Sequence, residues 1–170
     1  MRDDRRRYLL RYLGGGAYFV SGGGIMQKIR IAAVGKLKEN FWKEAVAEYV
    51  KRLSRFADVE IKELPERTSL EEEGKDILSA CRGYVIALAV EGDKLSSERF
   101  ADLLKRKADE GQKLTFVIGS SCGLCSAVKQ SADMLLSFSD FTFPHQLTRV
   151  ILCEQIYRAF MINSGSVYHK

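Results

Sequence analysis

Two histidines, two arginines and a pair of cysteines carry the reactive chemistry of this chain. His145 follows Pro144, and His169 precedes the final Lys170; they are the only histidines in the 170 residues. Histidine is the side chain whose ordinary pKa suits proton transfer near neutral pH. At a Pro-His corner it serves either as a structural hydrogen-bonding group or as a base, and both readings stay open for His145. Arg149 has no acidic residue four positions before it or three or four after it. Its guanidinium therefore suits an anionic ligand such as phosphate. Glu154 and Arg158, by contrast, have the i,i+4 spacing of an ordinary helix ion pair. Cys122-Gly123-Leu124-Cys125 is a C-x-x-C opening a helix, where backbone amides lower a thiol pKa and permit redox chemistry. A zinc site would need two more paired Cys or His, so no metal is expected.

The elements that must position these groups alternate between strand and helix. Ile29, Ile31 and Val34 form a strand stopped by Gly35, and Trp42, Ala45, Val46, Tyr49, Val50 and Leu53 follow at helical spacing. Val59, Ile61 and Leu64 make a second strand ended by Pro65, and residues 68–81 read as a charged helix. Residues 84–90 form an apolar run typical of a buried parallel strand. Ser96 or Ser97 caps a helix that carries Phe100, Leu103, Leu104 and Ala108 and ends at Gly111. Residues 114–118 are expected as a strand, 124–135 as a helix and 138–143 as the last strand, where Phe141 and Phe143 flank Thr142. Pro144 ends that ladder and a helix begins at once. The alternation implies an α/β fold with a parallel sheet and helices on both faces. Leu147, Val150, Ile151, Ile156, Tyr157 and Phe160 leave the last helix more apolar than one core requires, so a second subunit is expected against it.

Composition fits one globular domain, with 46% hydrophobic and 29% charged residues. No apolar run reaches the roughly 18 residues needed to span a bilayer, so no membrane partner is expected. Cys81, Cys122, Cys125 and Cys153 sit in apolar or helix-forming surroundings, as reduced thiols in a cytoplasm would. Of the net charge of +5, residues 1–25 supply +3 from five arginines against two aspartates, leaving +2 for residues 26–170. Charge alone does not decide for or against nucleic acid, because phosphate contact depends on local clusters. Residues 1–25 combine a basic start with two triple-glycine breaks and no face able to pack. They are expected to be an appendage, disordered or read from an upstream start, with a basic RNA-gripping arm as the sharper alternative.

Four motifs carry a resemblance to a known family. FTFPHQLTRVILCEQIYRA at 141–159, VIALAVEG at 85–92, FVIGSSCGL at 116–124 and the closing Tyr168-His169-Lys170 come in order from Met26 onward. They are similar to the LTLPHPLVRVLLAEQLYRA, TLD-x-x-G, IGG-x-[DE]-G and YH[KR] signatures of the RlmH (YbeA) family of the SPOUT superfamily. The resemblance implies a domain at 26–170 with a C-terminal trefoil knot, working as a homodimer. It also implies transfer of a methyl group from S-adenosylmethionine to N3 of a pseudouridine in 23S ribosomal RNA of the 70S ribosome. By position, the cofactor would be held by Leu88, Gly119, Phe138, Ser139, Asp140, Phe141, Thr142 and Phe143, largely through backbone groups. His145, Arg149, Tyr168 and His169 become the candidate catalytic residues, and Arg149, Arg158 and His169 the candidate RNA contacts.

The chain departs from the family at identifiable places. The second Gly, the variable residue and the acid of the glycine-rich loop are Ser120, Ser121 and Cys122. If that Gly needs positive φ, Ser120 strains the loop, and loss of the acid removes a charge beside the cofactor. Gln146 replaces a Pro, and Gly165-Ser166-Val167 before Tyr168 lacks one His and one Pro. A weakened relative that binds ribosome or cofactor without efficient transfer is thus an alternative, and a thiol-redox protein using Cys122 and Cys125 a more distant one.

Overall fold

The computed structural model describes residues 26–168. Five parallel strands lie in the order β2-β1-β4-β3-β5: β1 Gln27–Val34, β2 Ala57–Leu64, β3 Tyr84–Lys94, β4 Leu114–Ile118 and β5 Met134–Ser137. The helices are α1 Asn40–Leu53, α2 Leu70–Ala80, α3 Ser97–Asp109, α4 Ser126–Ser131 and α5 His145–Asn163.

Strand periodicity divides the core in two. Ile29, Ile31, Ile86, Leu114, Phe116 and Ile118 point to one face and pack with Leu53, Leu104, Leu152 and Ile156 of α1, α3 and α5. Ala32, Val34, Val85, Ala87 and Val117 point to the other, against Ile77 of α2 and Val128 of α4. Both faces are covered, which is why β4 is buried throughout. Phe116 is fully buried and touches Phe100 at 6.0 Å between centroids. Its burial contributes about 1.5–3 kcal/mol.

Local signals set the helix boundaries. Ser69 accepts the Glu72 amide at the start of α2, and Ser96 that of Arg99 at the start of α3. Gly111 closes α3 with φ +67°.

The C-terminal third departs from the sequence expectation. The helix expected over 124–135 is only Ser126–Ser131, and the last strand is Met134–Ser137, not 138–143. Asp133 explains the break: its carboxylate accepts the Val85 amide at 2.7 Å, and its own amide donates to Val85 O at 2.9 Å. That pair draws the chain onto β3, and Leu135 and Leu136 continue as strand. A short apolar run carries no period that separates helix from strand. Beyond Ser137 the chain is a loop, in which Ser139 Oγ accepts the Phe141 amide and Phe141 is 78% exposed. β3 is also longer than expected. Leu88 and Asp93 both face Leu136, so residues 89–92 form an excursion between them.

Candidate functional site

β4, β3 and β5 are parallel neighbours, so the segments that follow them emerge at one end of the sheet. Ligands of open α/β sheets bind at that end. The excursion 89–92, the loop 119–123 and the loop 138–143 follow β3, β4 and β5 at that end of the sheet, with Leu88 paired to Leu136 just before the 138–143 loop. Leu88, Phe138, Ser139 and Phe143 are half-buried, whereas Asp140, Phe141 and Thr142 are exposed. Lys94 is paired with Asp140, and Lys129 with Glu91, which ties the excursion to its neighbours.

Glycine is required at two of these positions. A Cβ on Gly92 would stand 2.6 Å from the Leu135 carbonyl carbon, and one on Gly119 only 2.2 Å from Gly123 O. Backbone approaches this close leave no space for a side chain, so both turns depend on glycine. The left-handed residue of the 119–123 loop is Gly123, at φ +84°, and no non-glycine residue has positive φ among the described residues. The strain expected at Ser120 is therefore absent. Its hydroxyl instead donates to Glu73 Oε2 at 2.8 Å. Glu73 went unnoticed in the sequence because it belongs to the acidic run 71–73, which reads as a solvated helix turn.

The Pro-His corner stands at the same sheet end, since β1 lies beside β4. Three bonds sew the start of α5 to the strand ends. Arg149 Nη2 donates to Val34 O at 2.9 Å and Gly35 O at 2.6 Å, and its Nη1 donates to Glu63 Oε1 at 2.9 Å. Gln146 Oε1 accepts the Lys38 amide at 3.0 Å. Arg149 is 0% exposed, so the anion expected beside it proves to be the carboxylate of Glu63, and no nitrogen faces solvent for an RNA phosphate. Its acidic partner lies 86 residues away rather than on its own helix. His145 is half-buried. Its pKa is held below the ordinary 6.5 by burial first, then by the charges of Arg149 and Lys38, with Glu66 opposing. The imidazole is thus neutral at neutral pH.

The remaining predicted residues lie at the other end of α5. Arg158 Nη2 donates to Glu154 Oε1 at 2.6 Å, and Tyr168 OH donates to the same oxygen at 3.4 Å. The helix ion pair read from the i,i+4 spacing is present, with the Arg158 guanidinium 5.0 Å above the Tyr168 ring. Asn163, where α5 ends, is about 27 Å along the axis from His145 at 1.5 Å per residue. One chain therefore does not bring Arg158 and Tyr168 to the corner. His169 and residues 1–25 lie outside the described residues. Cys122 is exposed and Cys125 buried, both as free thiols. Among the described residues, no helix is long and apolar enough to cross a membrane.

Taken together, a parallel α/β sheet, tight glycine turns at its carboxyl end and a neutral histidine at the same end suit group transfer from a bound donor. A family model described as a predicted SPOUT methyltransferase matches residues 27–169, and the chain belongs to that family. Its relatives narrow the group. "Ribosomal RNA large subunit methyltransferase H" of Streptococcus sanguinis (strain SK36) is 49% identical over 158 residues, covering 84% of this chain and 99% of the relative. The protein of that name from Streptococcus agalactiae serotype III (strain NEM316) is 50% identical with the same coverage. That from Lactobacillus helveticus (strain DPC 4571) is 49% identical over 157 residues, again covering 84% and 99%. Within the SPOUT family the chain thus falls in the RlmH group. Among solved structures, a probable methylase family protein from Haemophilus influenzae Rd KW20 shares the fold with a TM-score of 0.53 at 12% identity, over 86% of this chain and 72% of that one. A probable methyltransferase from Bordetella pertussis Tohama I gives 0.53 at 13%, over 78% and 94%.

Proposed function

We propose that this chain methylates N3 of a pseudouridine in 23S ribosomal RNA on the assembled 70S ribosome, with S-adenosylmethionine as donor. The observation that carries this reading is the placement of the 89–92, 119–123 and 138–143 segments at adjacent strand ends, in a chain half identical to large-subunit methyltransferases. The residues suit the cofactor in this reading: Gly92 and Gly119 fold their turns tightly against Leu135 and Gly123, and the backbone of 138–143 lies beyond the last ladder residue, Ser137. S-adenosylmethionine, when bound, supplies an electrophilic methyl group. Leu88, Phe138 and Phe143 would exclude water from its apolar flanks.

N3 of a uracil-like ring is weakly nucleophilic until its proton is removed. His145, kept neutral by burial and by Arg149, is the proton acceptor in this reading. Arg149 acts by holding the corner through Val34, Gly35 and Glu63. Arg158, Tyr168 and His169 are the RNA contacts in this reading and serve the corner of a second copy, since Arg158 stands 13 residues along α5 from His145, about 20 Å at 1.5 Å per residue. A homodimer with a C-terminal trefoil knot, acting in the cytoplasm, completes the reading. The exposed aromatic Phe41 and the half-buried apolar face of α5 support the dimer.

The test is methyl transfer from labelled S-adenosylmethionine to 70S ribosomes lacking the modification, using the domain from Met26. Labelling of N3 in the large-subunit RNA is the expected result. Cofactor binding with no labelled RNA would replace it by the weakened-relative reading.

A further inference from the structure

Glu73 is the one acidic residue that the fold buries among the described residues, at 4% exposure. Burying a carboxylate is costly unless its oxygens are hydrogen-bonded. Both oxygens are used here. Oε1 accepts the Arg67 amide at 3.2 Å, and Oε2 accepts the Ser120 hydroxyl at 2.8 Å. The guanidinium of Arg67 turns away to Asp76, at 2.8 Å. Among the described residues no cation lies within ion-pair distance of Glu73. Its two oxygens are therefore satisfied by the Arg67 amide and one loop hydroxyl.

That hydroxyl organises the turn that follows Gly119. Ser120 Oγ accepts the Cys122 amide at 3.4 Å, and Ser120 O accepts the Gly123 amide at 3.0 Å. The helix that brings Glu73 also stands against the loop at the next residue. A Cβ on Gly74 would lie 2.4 Å from Cys125 Sγ, so α2 has no room for even a methyl group there. The 119–123 loop is thus held to α2 by the Glu73–Ser120 hydrogen bond, and Cys125, the residue that caps α4 just beyond the loop, packs against α2 at the neighbouring Gly74.

We infer that Glu73 and Ser120 form a brace that fixes the 119–123 loop in its cofactor-receiving shape, making Glu73 a positioning residue for the methyl donor. This rests on the reading that the donor binds at that loop. The acid that the family pattern places inside the loop is Cys122 here. Glu73 delivers a carboxylate from α2 instead, and Ser120, standing where the pattern has Gly, supplies the hydroxyl that meets it.

The experiment compares Glu73→Gln, Ser120→Ala and the double variant with the unaltered chain, each checked for folding by its melting temperature. Hydrogen exchange of the cofactor-free proteins is expected to quicken about tenfold at amides 121–123 in each single variant, and no further in the double, as for one shared charged hydrogen bond. Calorimetric affinity for S-adenosylmethionine is expected to fall about tenfold in each single variant and no further in the double, with kcat at saturating cofactor held within about twofold. Ser120→Thr, which keeps the hydroxyl, retains both properties. Losses that multiply in the double variant, or variants that leave loop exchange and cofactor affinity unchanged, overturn the inference. An unaltered chain that binds no S-adenosylmethionine overturns the cofactor reading instead, and loop exchange still reports on the brace.

Discussion

The two ends of α5 hold their polar groups in opposite ways. At its start, Arg149 has no exposed surface and spends its nitrogens on two carbonyls and Glu63, while Gln146 takes the Lys38 amide. At its end, Glu154, Arg158 and Tyr168 bond one another at half-buried positions, beside Arg52 stacked over Tyr49 and Tyr157. Buried bonds of the first kind are costly to break and fix one geometry. Half-exposed pairs of the second kind are worth about 0–1 kcal/mol and exchange readily for a new partner's groups. One helix thus carries a rigid anchor at its start and an adaptable polar cluster towards its end.

The largest effect that would sharpen this contrast is at His145. Replacing it with Asn should lower methyl transfer about 10²–10⁴-fold, the usual range for losing a general base, while the melting temperature changes little. Transfer within tenfold of normal would reduce His145 to a structural residue. Next comes Arg149→Met, which strands two buried carbonyls and Glu63 and should lower stability by about 3 kcal/mol in denaturant titration. Arg158→Ala should cost under about 1 kcal/mol of stability, yet raise KM for ribosomes and flatten its salt dependence, since it removes a charge from the RNA side. A stability loss as large as that of Arg149→Met would erase the difference between the two ends. The smallest effect is in pH. His145 binds a proton less tightly folded than unfolded, so its contribution to stability is full above about 6.5 and is lost as pH falls through the lower folded value. The acid limb of methyl transfer should lie below 6.5 and move part of the way back up in Arg149→Met, because burial remains the larger cause.

Seven elements from β1 to β4 were legible from periodicity, with the cap at Ser96 among the two serines the pattern offered. The stretch 124–143 was not, because Leu135 and Leu136 suit either structure and only pairing with β3 decides for strand. Alternation at Phe141, Thr142 and Phe143 was a false strand signal, since no neighbouring strand is available there. At the candidate site, Gly119, read from the motif, does stand where the backbone packs too closely for a side chain. The site was illegible where a partner comes from far along the chain: Glu63 for Arg149, and Glu73 for Ser120. An acid inside an acidic run has no local mark distinguishing burial from solvation.

The place of β4 between β1 and β3 has a consequence for the order of events during synthesis. Ile29 waits for Leu114, so the inner edge of the first strand stays open until the fourth has been made. Until then the chain is two separate pieces, β1 with β2 on one side and β3 on the other, each exposing an unpaired strand edge. The residue that follows Ile118 is Gly119, so the strand that closes the sheet also delivers the glycine turn. β5, the 138–143 loop and α5, which supplies Leu152 and Ile156 to the core, are made later still, so joining the two pieces precedes the last of the packing.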